Sequence, residues 1–146
     1  MSTTFTNLLF HIVFSTKVRR PQIRSEFEDE LKRYIGGVIK HERGTLLEAG
    51  GTEDHLHLLV KFRADVSVSE MVRRIKSNSS KWLREKDPEW KGWQTGYGAF
   101  SVSESRVAGV RDYLRCQREH HRKSTFLDEL KALLERHGLE YDERYL

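Results

Sequence analysis

Asp54-His55-Leu56-His57-Leu58-Leu59-Val60 sets two histidines two residues apart inside an apolar run. Alternate side chains of a β-strand point to opposite faces, so His55 and His57 share one face and Leu56, Leu58 and Val60 the other. A sheet that buries the leucine face leaves the two imidazoles together on an open surface. Two neutral imidazoles on one rigid strand are half of a metal site. A second cluster with chemical potential is Tyr113-Leu114-Arg115-Cys116-Gln117. Tyr113 and Gln117 are four apart and share a face if this stretch is helical. Gly109 lies one turn earlier on the same stripe. A glycine inside a helix is unfavourable by ~1 kcal/mol relative to alanine, and close approach of another surface would explain it.

The elements that must position these groups can be read in order. Residues 5–15 predict a first strand, with Leu8, Phe10, Ile12 and Phe14 on one face and Leu9, His11 and Val13 on the other. Ser25 with Glu28 forms a capping-box pattern, and Phe27, Leu31, Tyr34, Ile35 and Val38 follow at helical spacing, with Gly44 as the stop. Residues 45–49 predict a second strand. Residues 50–53 form the turn into the histidine strand, 54–62. Ser67 with Glu70 caps a second helix whose apolar stripe runs Val68, Met71, Val72, Ile75, Ser79, Trp82, and Asp87-Pro88 ends it. Residues 98–103 predict a fourth strand with Phe100 and Val102 on one face. A helix capped by Ser103 or Ser105 then runs to about residue 121, and Thr125 opens a last helix closed by Gly138. The order β-α-β-β-α-β is the ferredoxin-like arrangement, an α+β fold with an antiparallel sheet and helices on one face. The tyrosine-bearing helix and a final helix follow it. On this reading His55, His57 and His11 lie on the open face.

The chain has 146 residues, which suits a single domain, residues 1–146, with a core of its own. Charged residues make up 33% and the net charge is +4, so basic clusters rather than the total mark a polyanion-binding surface. The single cysteine excludes an internal disulfide framework and fits a reducing compartment. No apolar run is long enough to span a membrane, and no secretion signal is evident. Together these imply a cytoplasmic protein.

The residues resemble a known family. His55-Leu56-His57 fits the histidine–hydrophobic–histidine motif of HUH nucleases, and the stretch from Tyr113 to Gln117 resembles the tyrosine helix of single-tyrosine HUH transposases. The extended end, with His120-His121 and residues 141–146, is most similar to the REP-associated tyrosine transposases. The resemblance implies that Gln117 joins His55 and His57 on a metal ion and that Tyr113 is the nucleophile. It implies attack on DNA that leaves a covalent 5′-phosphotyrosine and a free 3′-hydroxyl, and rejoining by a second 3′-hydroxyl. Two imidazoles with an amide oxygen suit Mn²⁺, and Mg²⁺ more reluctantly. Residue chemistry alone permits a plain nuclease as well.

The resemblance further implies a substrate of single-stranded DNA with a nearby hairpin, a nucleoid-associated location in a bacterium, and a homodimer in which the tyrosine helix completes the partner's site. Lys17, Arg19, Arg20, Arg73, Arg74, Lys76 and Lys81 are candidates for DNA backbone contacts, and Trp93 for base stacking. His120 and His121 read as surface or DNA-facing residues, and Cys116 has no assigned role. The alternatives are a domesticated transposase, a non-catalytic single-stranded nucleic-acid-binding module and a relaxase-like HUH nuclease. The binding module is disfavoured because the central strands carry His55, His57, Leu9 and His11 where such modules present aromatic residues.

Overall fold

The computed structural model describes residues 3–146. Its elements are β1 (Leu8–Ser15), α1 (Glu28–His41), β2 (Thr45–Thr52), β3 (His55–Phe62), α2 (Val68–Lys86), β4 (Gly98–Ser101), α3 (Val107–Arg115), α4 (Gln117–His120) and α5 (Phe126–Arg136). The four strands form one sheet in the order β2-β3-β1-β4, every neighbouring pair antiparallel. This is the ferredoxin-like topology that the element order implies. The order follows from the burial demand: β1 and β3, with apolar residues on both faces, take the centre.

The first face packs as the alternation dictates. Ile12 and Phe14 of β1 and Leu56, Leu58 and Val60 of β3 meet Leu31, Ile35 and Ile39 of α1 and Met71, Val72, Ile75 and Leu83 of α2, all buried. The Ser67 hydroxyl accepts from the Glu70 amide at 3.1 Å, so that cap forms as its sequence pattern indicates. Thr125 caps α5 in the same way, accepting from the Asp128 amide at 3.1 Å. Ser25 makes no such bond: residues Ser25–Phe27 form a 3-10 turn and α1 starts at Glu28.

The second face is not open. α3, α4 and α5 lie across it, and His55 and His57 are fully buried while His11 is 4% exposed. The physical reason is in the same alternation. Beside the histidines this face carries Leu9, Val13, Leu59 and Phe100, and an apolar surface of that size needs a cover. Val13 and Phe100 pack with Phe126 and Leu133 of α5.

Other boundaries move as well, and β4 ends at Ser101, two residues short of the expected strand. β1 starts at Leu8, leaving Phe5 89% exposed. β2 extends through Gly50 and Gly51 to Thr52, pairing Gly50 with His57 and Thr52 with His55, so the turn shrinks to Glu53 and Asp54. The helix expected to run to about residue 121 breaks at Cys116 (φ −101°, ψ 22°), giving α3 and α4.

Gly50 is where the tyrosine helix approaches the sheet. A Cβ there would overlap the Leu114 carbonyl, so main chain packs against main chain at this point. Gly109 is the opposite case. A Cβ would meet nothing within 4 Å, so no surface of the chain itself explains that glycine. Gly109→Ala should therefore raise folding stability by about 1 kcal/mol, and Gly50→Ala should lower it by ~2 kcal/mol or more. Urea unfolding midpoints of the two variants check both signs.

Candidate active site

β3 projects His55 and His57 from the same side of the sheet, as their spacing requires. Each ring is oriented through its Nδ1 atom. His55 Nδ1 lies 2.7 Å from Asp54 Oδ1 and 3.1 Å from the Thr52 hydroxyl, which itself donates to Asp54 Oδ1 at 3.0 Å. His57 Nδ1 lies 2.7 Å from His11 Nε2, a diagonal cross-strand pair. Both Nε2 atoms therefore point at the covering helices, and a carboxylate on Nδ1 makes the His55 ring a better electron donor.

The cover supplies oxygen and nitrogen in return. Gln117, at the start of α4 and 1% exposed, places Oε1 3.0 Å from His55 Nε2. Glu129 of α5, 8% exposed, places Oε1 2.7 Å from His57 Nε2 and 3.6 Å from His55 Nε2. His121 Nε2 stands 3.2 Å from Gln117 Oε1 and 3.3 Å from Glu129 Oε1. The other Glu129 oxygen accepts from the Tyr113 hydroxyl and, at 3.3 Å, from Gln117 Nε2.

These donors fit a divalent cation. Three imidazole nitrogens, a carboxylate oxygen and an amide oxygen converge, and donor atoms of His55, His121 and Glu129 all lie within 4.8 Å of one another. Separations of 2.7–3.6 Å between neighbouring donors are close to what ligands on a common ion at ~2.1 Å adopt.

The protonation states follow from burial and neighbours. Burial pushes His57 below the usual histidine range, against the opposing pull of Glu129. Burial, with His57 next to it, takes His11 down to about 3. For Glu129 burial works upward, but the contacts with His57, then Tyr113 and His55, win and hold its carboxyl well below the usual range. Tyr113 is raised above an ordinary phenol, first by burial and then by the Glu129 hydrogen bond and charge, with Arg136 pulling weakly the other way. The resting site thus has a neutral phenol donating to a carboxylate, beside His57 and His11, which burial keeps neutral.

The structure brings Tyr113, Gln117, His55 and His57 together from α3, α4 and β3. It adds Glu129 and His121. His121 is not a surface residue, since its side chain is only 12% exposed. A signal for Glu129 did exist: it shares the inward stripe of α5 with Phe126 and Leu133, and a carboxylate on an apolar stripe marks a functional candidate.

The basic candidates lie elsewhere. Arg73, Arg74, Lys76 and Lys81 belong to α2, across the sheet from the histidines. Arg73 and Arg74 are held by Glu70 at 2.6 and 3.0 Å. Lys76 donates to the Gln94 and Gly96 carbonyls, and burial lowers it to about 8. Lys81 is exposed. Trp93 packs edge-on to Phe14 and Trp90 and donates to the Ser79 hydroxyl at 3.0 Å. Lys17, Arg19 and Arg20 are exposed around a 3-10 turn, and Arg19 donates to the Leu146 carbonyl at 3.0 Å.

Comparison with known proteins agrees with this arrangement. Residues 4–117 match the family model described as IS200-like transposase. The chain is 30% identical over 124 residues to the transposase for insertion sequence element IS200 of Salmonella typhimurium, covering 77% of this chain and 78% of that one. It is 23% identical over 119 residues to the ISDra2 transposase TnpA of Deinococcus radiodurans, covering 77% and 85%. Among solved structures, a REP-associated tyrosine transposase bound to a REP hairpin superimposes with a TM-score of 0.61 at 16% identity, covering 83% of this chain and 74% of that one. A protein from Deinococcus radiodurans superimposes with a TM-score of 0.64 at 23% identity, covering 80% and 95%. With its paired histidines under a tyrosine-bearing helix, the chain belongs to the IS200-like family of HUH tyrosine transposases, enzymes that cut and rejoin DNA.

Proposed function

We propose that this transposase is a metal-dependent single-strand DNA endonuclease and strand transferase that acts near DNA hairpins through Tyr113. The observation that carries the reading is the shared carboxylate: one Glu129 oxygen takes the Tyr113 hydroxyl, and the other lies 2.7 Å from His57 Nε2. Nucleophile and donor set are thereby locked into one unit. The hairpin-bound structural neighbour supports a hairpin substrate. No helix among the described residues is long and apolar enough to cross a membrane, which is compatible with action on DNA in the cytoplasm.

The chain's own groups account for the steps. His55, His57 and Gln117 would hold the cation, with Glu129 and His121 completing the donor set. When bound, Mg²⁺ or Mn²⁺ supplies positive charge that polarises the phosphate oxygens and offsets charge in the transition state. Tyr113 Oη attacks phosphorus as its proton passes to Glu129 Oε2. The bond from phosphorus to the 3′-oxygen breaks with its electron pair, that oxygen takes up a proton from solvent, and a 5′-phosphotyrosine and a free 3′-hydroxyl result. Attack by another 3′-hydroxyl, which loses its proton to solvent, reverses the exchange, and the departing Tyr113 oxygen takes back the proton held by Glu129. The raised Tyr113 makes a positioned proton acceptor necessary at neutral pH.

Incubation with single-stranded hairpins from the flanking DNA and Mn²⁺ should give a denaturation-resistant protein–DNA adduct, and Tyr113→Phe should abolish it. Cleavage that survives Tyr113→Phe would show attack by water instead. Because Tyr113 reaches the histidines of its own chain, mixing Tyr113→Phe with His57→Ala protein should restore no activity. Recovery on mixing would establish the exchanged homodimer.

Stability should depend on pH in a definite direction. Below about 6.5 the unfolded chain takes up a proton at His11 that the folded chain refuses until about pH 3. The unfolded state then binds more protons, so stability rises with pH across that window and levels off above it. Glu129, depressed from 4.5, acts in the same sense: its contribution is present above that value and is lost as pH falls through its lower folded-state value. Urea midpoints in metal-free buffer between about pH 4 and 8 measure this slope, which His11→Asn should flatten.

A further inference from the structure

Beside Tyr113, on the side away from Gln117, lies a cleft of about 680 Å³ between the end of β4, α3 and α5. Val102, Val110 and Leu133 contribute apolar wall, and Arg106 and Arg136 contribute charge. No aspartate or glutamate lines it. Neither guanidinium has a hydrogen-bond or ion-pair partner among the described residues. Their neighbours contrast with them: Arg111 and Arg115 of α3 are paired with Glu48 and Arg118 of α4 with Glu28. Among these five arginines, the two without a partner are those that face the cleft. Gly109 lines it too, at a point where a side chain would enter open space. The close neighbour that the glycine calls for is absent from the chain and fits a ligand.

We propose that this cleft seats a nucleotide adjoining the scissile phosphate, Arg106 and Arg136 taking the backbone charge and the apolar wall the sugar and base. The assignment rests on the DNA-cleaving reading above and locates where the strand enters it. An apolar wall flanked by unpaired guanidinium groups is what a strand with charged phosphates and flat bases needs. The cleft opens onto the Tyr113 ring, so an occupant lies against the nucleophile. It also moves the expected DNA path from α2 to the α3–α5 side of the sheet.

The test uses full-length protein carrying Tyr113→Phe, so that binding is read without cleavage. The probe is a fluorescein-labelled random pool of single strands about ten nucleotides long, followed by anisotropy. Arg106→Ser and Arg136→Ser should each weaken binding about 5- to 10-fold and reduce the slope of log affinity against log salt by about 0.7. Gly109→Leu should weaken binding comparably while its melting temperature stays at or above that of its parent, because the added side chain fills only the cleft. Binding within twofold of the parent in all three variants would overturn the proposal. Adduct formation by otherwise wild-type protein is read separately. Weakened binding with no wild-type adduct keeps the cleft and retires the catalytic reading. A normal adduct with unchanged binding keeps the catalytic reading and retires the cleft.

Discussion

A buried carboxylate must be satisfied or it destabilises the fold that buries it. Glu129 meets this demand with five partners drawn from four places in the chain: His57 and His55 on β3, Tyr113 on α3, Gln117 on α4 and His121 after it. Removing that side chain would take away the acceptor that faces both His57 Nε2 and the Tyr113 hydroxyl. The carboxylate thus ties the last helix, the tyrosine helix and the central strand into one arrangement. Burial first, and then this carboxylate, keep the phenol protonated while it donates its hydrogen bond.

The sheet is the reason such a centre can exist in a chain this short. One strand carries leucines for the core on one side and histidines for chemistry on the other, so the same backbone hydrogen bonds that secure the core also hold the imidazoles. Core packing of α1 and α2 against Leu56 and Leu58 is transmitted to the His55 and His57 rings without intervening loops. The hairpin turn adds Thr52 and Asp54, which turn the His55 ring. Ring orientation is therefore set by short-range contacts, and ring spacing by the strand.

Much of this was legible from residue patterns. Period-two alternation placed His55 and His57 together, and helical spacing placed Tyr113 with Gln117. The Ser67–Glu70 and Thr125 caps form as their patterns indicate. The polar members of the histidine face suggest an open surface, whereas Leu9, Val13, Leu59 and Phe100 on the same side require a cover. Glu129 has partners distant in sequence, and only its place on an apolar stripe marks it. The break at Cys116 carries no local signal, since neither glycine nor proline is present there. The basic residues of α2 are evident as charges, but their pairing with Glu70 is a matter of rotamers that spacing alone leaves open.

The contact of Gly50 with the Leu114 carbonyl has a consequence for how this active site tolerates change. Where two elements meet through side chains, drift in the core alters their separation. Here backbone meets backbone, so the offset of the tyrosine helix from β2 is set by atoms every residue possesses. Related chains could exchange most core residues and still present the tyrosine and the imidazoles at the same spacing. Robustness at many positions is concentrated as fragility at one, where the absence of a side chain is itself the functional requirement.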